Sequence, residues 1–141
     1  MEENIEKIDI QTTSMQTLAF IGDAVHNLYI RTYLASKSNV KTGLLHRESI
    51  KYVSAVAQAR TIEILTEMLT EEEINVYKRG RNTNIEKISK SVDIIAYKKS
   101  TGFESLIGYL YITKKMDRLK ELLEETLKIV ENKVGGTDDG K

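Results

Sequence analysis

Apolar positions recur three and four apart along most of the 141-residue chain, never in sustained alternation, and no proline interrupts them. That is the period of helices packed on one face, so the chain is expected to be all-α. A first helix is predicted from about Thr13, where Thr13-Ser14-Met15-Gln16 has capping-box spacing, to about Ala35. A polar linker, Ser36 to Lys41, leads to a second helical stretch from Gly43 to about Met68. Its inward candidates are Leu44, Leu45, Ile50, Val53, Val56, Ala57, Ile62 and Leu65, and its length predicts a break near Val53. Thr70-Glu71-Glu72-Glu73 is another capping box, opening a short helix that ends at Gly80, because glycine commonly ends helices. The polar run 81-RNTNIEKISKS-91 reads as a mobile loop. Helices from about Ser91 to Thr113 and from Asp117 to about Val134 follow, the last with Leu119, Leu122, Leu123, Leu127 and Val130 in one stripe. The GGTDDGK tail is expected to be disordered, which leaves one domain over residues 1–134 and no internal repeat.

Two of these helices are apolar nearly all round and carry one acid each. In 18-LAFIGDAVHNLYIR-31, helical geometry groups Leu18, Ile21, Val25, Leu28 and Tyr29 as a core stripe. Asp23 projects from the other side, among Ala19, Phe20 and Ile30 beside Gln16 and Asn27. A helix of this kind is buried on two sides, in a larger core or against a second subunit. An unpaired carboxylate at the margin of such a seam is costly, so something positive or hydrogen-bonding is needed beside it. On the residues alone, Asp23 either pairs with a basic side chain or backbone donors and fixes the helix, or it ligates a cation. The stretch 101-TGFESLIGYLYI-112 is built alike: Phe103, Leu106, Ile107 and Leu110 form the stripe, Glu104 is the single acid, and Gly108 lies on its face. Two such helices crossing near glycines can hold a divalent cation between them, and oxygen-only ligands select Mg²⁺ or Mn²⁺.

Composition narrows the class. There is no cysteine, which excludes disulfides, thiolate chemistry and cysteine-ligated zinc. The acidic start MEENIEKIDI has neither a basic leader nor a long apolar run, and no stretch approaches the ~20 residues of a membrane span. A soluble cytoplasmic protein without a membrane partner is expected. Formal charge is zero, 21 basic against 21 acidic residues, yet it is unevenly spread. Thr61 to Tyr77 holds five acids and no base; Lys78 to Lys99 holds seven bases against Glu86 and Asp93, a local 7 − 2 = +5. A basic patch is what phosphate binding requires.

The two acidic segments carry a resemblance. 20-FIGDAV-25 resembles the first motif of the ribonuclease III catalytic domain and 104-ESLIG-108 its second. The similarity runs from about Met15 to Tyr111; 78-KRGRN-82 and 100-STGFESLIGYLY-111 resemble the short bacterial branch, mini-ribonuclease III, which lacks a double-stranded-RNA-binding domain. The resemblance implies an all-helical endonuclease fold, a homodimer with the first-motif helix in its interface, and Mg²⁺-dependent cleavage of double-stranded RNA, each subunit cutting one strand. Mn²⁺ is expected to substitute. For the short branch it implies the precursor of 23S ribosomal RNA as substrate, with room for a ribosomal-protein helper. Asp23 and Glu104 are then catalytic metal ligands, and the products carry 5′-phosphate and 3′-hydroxyl ends. Full-length members usually place further acids where this chain has Ala19 and Thr101, so water and RNA phosphate are expected to complete the coordination. RNA contacts are assigned to Lys78, Arg79, Arg81 and Asn82, with Lys90, Lys98 and Lys99, and also to His46 and Arg47 at the start of the second helical stretch. His26, one turn past Asp23, reads as a packing or surface residue or a proton shuttle. Tyr29, Tyr33, Tyr109 and Tyr111 read as packing residues. Two other classes remain in view: a non-catalytic RNA-binding or ribosome-associated dimer with a depleted site, and an all-α nucleotide pyrophosphohydrolase, which needs clustered E-x-x-E acids that Glu71 to Glu73 do not supply.

Overall fold

The computed structural model describes residues 1–37, 41–83 and 93–135 and shows seven α-helices and no strand among them. The helices are α1 (Glu2–Glu6), α2 (Met15–Lys37), α3 (Thr42–Val53), α4 (Ala55–Leu65), α5 (Glu71–Arg81), α6 (Ile94–Ile112) and α7 (Met116–Gly135), with one 3₁₀ turn, Thr66–Met68, after α4. The expected all-α class holds. The short α1 has no counterpart in the expected elements. The predicted break falls in place: Ser54 is extended and caps α4 by accepting from the Ala57 amide at 3.2 Å.

Helix α6 is the centre. Phe103, Leu106, Ile107 and Leu110, the predicted stripe, are fully buried, and burying each such side chain contributes about 1.5–3 kcal/mol. Helices α2, α4 and α5 pack around α6, and α7 adds Leu119, Leu122 and Leu123 to the same core. Leu127 and Val130, the rest of the predicted α7 stripe, are half-buried. The start of α5 is tied to α7. Thr70 and Glu73 form the expected capping box, and Arg118 grips the Glu73 carboxylate through Nε at 2.8 Å and a terminal nitrogen at 2.9 Å. Burial raises the Glu73 pKa, but the Arg118 and Thr70 hydrogen bonds outweigh it and hold the carboxyl below its usual range.

Several expectations are corrected. The cap of α2 is Ser14, not Thr13: its hydroxyl accepts from the Thr17 amide at 3.0 Å. The buried stripe of α2 is Leu18, Ala19, Gly22, His26 and Ile30, while Leu28 is 64% exposed. In α3 and α4, Leu44, Ile50 and Val56 are exposed, and the inward face of α4 is Gln58, Ala59, Thr61, Ile62 and Leu65. Gly80 does not end α5, which continues to Arg81 with Asn82 as its cap. Most of the predicted 81–91 loop and the tail beyond Gly135 lie outside the described residues.

Candidate active site

Glycine makes the site. A Cβ built on Gly22 of α2 would lie 1.8 Å from the Glu104 carbonyl oxygen, and one on Gly108 of α6 would lie 2.0 Å from the Leu18 carbonyl oxygen. The two helices therefore cross at backbone contact, which a side chain at either position would prevent. The residues next to these glycines, Asp23 and Glu104, meet side chain to side chain at the crossing. The two single acids that sequence placed on separate helices are thus brought together.

Their environments differ. Asp23 is exposed, and Asn27, one turn on, donates its amide to the Asp23 carboxylate at 3.1 Å and to the Asp23 carbonyl at 2.9 Å. Glu104 is mostly sequestered. Burial, then the hydrogen bond to Asp23 and its negative charge, push the Glu104 carboxyl up to about 8, against an opposing hydrogen bond from Gln58. Without a cation, the Glu104 carboxyl therefore keeps its proton at neutral pH. A divalent cation relieves the same repulsion, so an all-oxygen pair with its anionic charge uncompensated fits Mg²⁺ or Mn²⁺. Among the described residues no group of three or more His, Cys, Asp or Glu side chains could hold a metal. Ala19 is buried, and the Thr101 hydroxyl donates to the Tyr97 carbonyl of its own helix, so neither position adds a ligand.

His26 is a core residue, neither a surface group nor a shuttle. It is 2% exposed, stands edge-on to Phe103 at 4.9 Å, and receives the Gln58 amide on Nδ1 at 2.9 Å. Burial lowers its pKa to about 4, with Asp23 partly opposing, so the ring is neutral. Gln58 itself was not anticipated. A usable signal existed: Gln58, Thr61, Ile62 and Leu65 follow the i, i+3, i+4, i+7 spacing of a buried face.

The basic candidates divide by position. Lys78 and Arg79 are exposed at the end of α5, Arg81 lies over the Tyr77 ring at 5.6 Å and contacts Asn82, and the exposed Asn82 follows. The close approach of Gly80 to Gly102 and Ser105 sets this basic end beside the turn of α6 that carries Glu104. His46 and Arg47 are exposed on α3, and Lys98 is half-exposed on α6. Lys99 is engaged with Glu63 at 2.8 Å. Lys90 lies outside the described residues. Of the tyrosines, Tyr109 donates to Glu72 and Tyr33 to Glu131, and all four are half-buried, in keeping with packing roles.

A helical domain whose central helices cross glycine on glycine to join one acid from each has the plan of a nuclease that acts through carboxylates. Residues 16–115 match the ribonuclease III domain, and the chain belongs to the ribonuclease III family, as an endoribonuclease of that type. Its relatives narrow the branch to the mini-ribonucleases 3. The chain is 42% identical over 129 residues to the mini-ribonuclease 3 of Thermoanaerobacter sp. (strain X514), covering 92% of this chain and 91% of that one. It is 46% identical over 126 residues to the mini-ribonuclease 3 of Streptococcus pneumoniae, covering 88% and 98%. Among solved structures, a Fusobacterium nucleatum protein superposes with a TM-score of 0.77 at 30% identity, covering 85% of this chain and 96% of that one.

Proposed function

We propose that the protein is a Mg²⁺-dependent, homodimeric endoribonuclease that cuts double-stranded RNA, with Asp23 and Glu104 as its metal ligands and the 23S ribosomal RNA precursor as its substrate. The observation that carries this reading is the meeting of the two acids at a backbone-close crossing, with no basic side chain paired to either among the described residues. Ribonuclease III enzymes in general act on double-stranded RNA with a divalent metal and are typically dimeric, and relatives of matching length are mini-ribonucleases 3. Mn²⁺ substitutes for Mg²⁺, and a ribosomal-protein helper presents the precursor in the cytoplasm. No helix among the described residues is long and apolar enough to cross a membrane.

Bound between the carboxylates, the metal supplies charge neutralisation at the scissile phosphate and a water of lowered pKa. The chain's residues do the rest. Asp23 and Glu104 would hold the metal on one side of the phosphate; water would add to phosphorus as the bond to the 3′ oxygen breaks, the water's proton would pass to solvent and the 3′ oxygen would take one from solvent, leaving 5′-phosphate and 3′-hydroxyl ends. Neutral, buried His26 takes no proton from the reaction. Lys78, Arg79, Arg81 and Asn82 hold phosphates beside the crossing, with Lys98, His46 and Arg47 further out, and Lys99 contributes after release from Glu63; Lys90, outside the described residues, is assigned to RNA on its sequence alone. The dimer forms on the exposed apolar face of α2, where Phe20 and Leu28 are 80% and 64% exposed.

The test is incubation of a structured double-stranded RNA with the protein, with Mg²⁺ or with EDTA, beside Asp23→Asn and Glu104→Gln. Cleavage is expected only with metal and to fall at least ~100-fold in each variant while RNA binding persists. Undiminished cutting by Asp23→Asn overturns the assignment. Binding without cutting by the unsubstituted protein favours the non-catalytic dimer, the reading supported by Ala19 and Thr101.

A further inference from the structure

One side chain joins the three helices around the carboxylate pair. Gln58 reaches from α4 into the space between α2 and α6 and is 1% exposed. Its Oε1 accepts the Ser100 hydroxyl of α6, one turn before Glu104, and its Nε2 lies 2.9 Å from His26 Nδ1 of α2, one turn past Asp23. A primary amide has two N–H donors; with His26 taking one and Ser100 engaging the oxygen, the other is left for the Glu104 carboxyl, whose pKa the amide holds down. The direction of the amide is therefore fixed. Turned over, Oε1 would face the Nδ1 lone pair and the Glu104 oxygens, acceptor against acceptor. Neutral His26 is required too, because only an unprotonated Nδ1 can accept.

We propose that Gln58 is a positioning residue of the metal site, locked by Ser100 and His26 so that its remaining N–H holds the Glu104 carboxyl in the orientation that meets Asp23. This rests on the reading of Asp23 and Glu104 as metal ligands. Since no third side-chain ligand reaches the pair among the described residues, the orientation of these two carries more of the affinity than in a site with spare ligands. Partners that orient ligating carboxylates typically contribute 10–100-fold in metal affinity. Gln58 touches neither metal nor RNA in this assignment, so its removal acts through Glu104.

The experiment measures Mn²⁺ binding to the metal-free, RNA-free protein by calorimetry for the unsubstituted chain, Gln58→Leu and Ser100→Ala, with circular dichroism as the check on folding. Gln58→Leu is expected to bind Mn²⁺ at least ~10-fold more weakly. Ser100→Ala, which removes only the hydroxyl that sets the amide's direction, should weaken binding in the same sense by less, and it carries the test if Gln58→Leu does not fold. In cleavage, the Mg²⁺ midpoint should rise while the rate at saturating Mg²⁺ stays near that of the unsubstituted protein. Mn²⁺ affinity unchanged in the folded variants overturns the role of Gln58 and leaves the metal reading standing. No Mn²⁺ binding by the unsubstituted protein overturns both.

Discussion

His26 shows how one buried ring ties stability to pH. Its pKa is about 4 in the folded chain against 6.5 when free, because burial penalises the imidazolium more than Asp23 favours it. The unfolded chain then binds more protons between those values, so the stability His26 permits is complete above pH 6.5 and is lost as pH falls toward 4. At 1.36 kcal/mol per pH unit the loss is roughly 3 kcal/mol. Glu104, with its carboxyl pushed up to about 8, gains stability as pH falls over the same window, so the His26 contribution is read as a difference: from pH 6.5 to 4.5 the urea midpoint of the unsubstituted protein should fall relative to that of His26→Gln. Glu73, with its carboxyl held below the ordinary range, adds its own loss only at lower pH. In a proton-NMR titration the ring protons of folded His26 should stay unmoved from pH 7.5 to 5.5; a transition near 6.5 contradicts the assignment. The residue scale is also where sequence reading divides. Asp23 and Glu104 were legible because a lone acid in an apolar helix is an anomaly of composition. Gln58 and His26 were not: spacing could have put Gln58 on a buried face, but what such a polar residue does there is set by partners on other helices, at separations of 32 and 42 residues for the His26 and Ser100 bonds.

At the scale of the helix, the α2–α6 crossing reverses an ordinary substitution rule. Glycine to alanine inside a helix normally stabilises by about 0.5–1 kcal/mol. At Gly22 the added methyl would overlap the Glu104 carbonyl and crowd the Gly108 nitrogen at 2.8 Å, both backbone atoms that cannot rotate away. Gly22→Ala is therefore expected to cost about 3 kcal/mol and to move Asp23 and Glu104 apart, so thermal midpoint and Mn²⁺ binding fall together. Gly43, in α3, has nothing within 4 Å of its would-be Cβ, so Gly43→Ala should leave both readouts unchanged or slightly raised. Equal effects at the two glycines contradict the account. The same crossing explains why sequence set α2 at the wrong rotation. Periodicity placed Leu28 inward beside Val25 and Tyr29; those two do pack against the core, but where the α2 and α6 backbones touch only Ala19 and Gly22 fit, and Leu28 turns out. Apart from α1, helix order was legible from spacing, from the length that required a break near Val53 and from the cap at Thr70, since those signals are local. Facing depends on the partner surface, which spacing does not encode.

For the molecule as a whole, the large apolar side chains that α2 turns outward remain to be accounted for. Phe20, Leu28 and Met116 are 80%, 64% and 50% exposed, and they border an open groove of about 670 Å³ floored by Val25, Leu119 and Leu123. Asp23 lies on the same groove. Isolated apolar residues on a surface need no explanation, but a contiguous patch of this kind marks an interface. In the proposed homodimer, a twofold axis across α2 would let each Phe20 enter the other subunit's groove, and every contact would then occur twice. Burying one such ring contributes about 1.5–3 kcal/mol, so Phe20→Asp removes roughly 3–6 kcal/mol of association before the cost of two buried charges is added. Light scattering at micromolar concentration should find a dimer for the unsubstituted chain and a monomer for Phe20→Asp, with circular dichroism unchanged because Phe20 makes no core contact within the chain. If cleavage of both strands needs two sites at a fixed distance, the monomer should leave nicked rather than severed duplexes. A monomeric unsubstituted protein, or a Phe20→Asp variant that remains dimeric, refutes the placement of the axis. In the proposed dimer each subunit would carry its own Asp23–Glu104 pair, one for each strand, and loss of the dimer would separate the two sites without altering either.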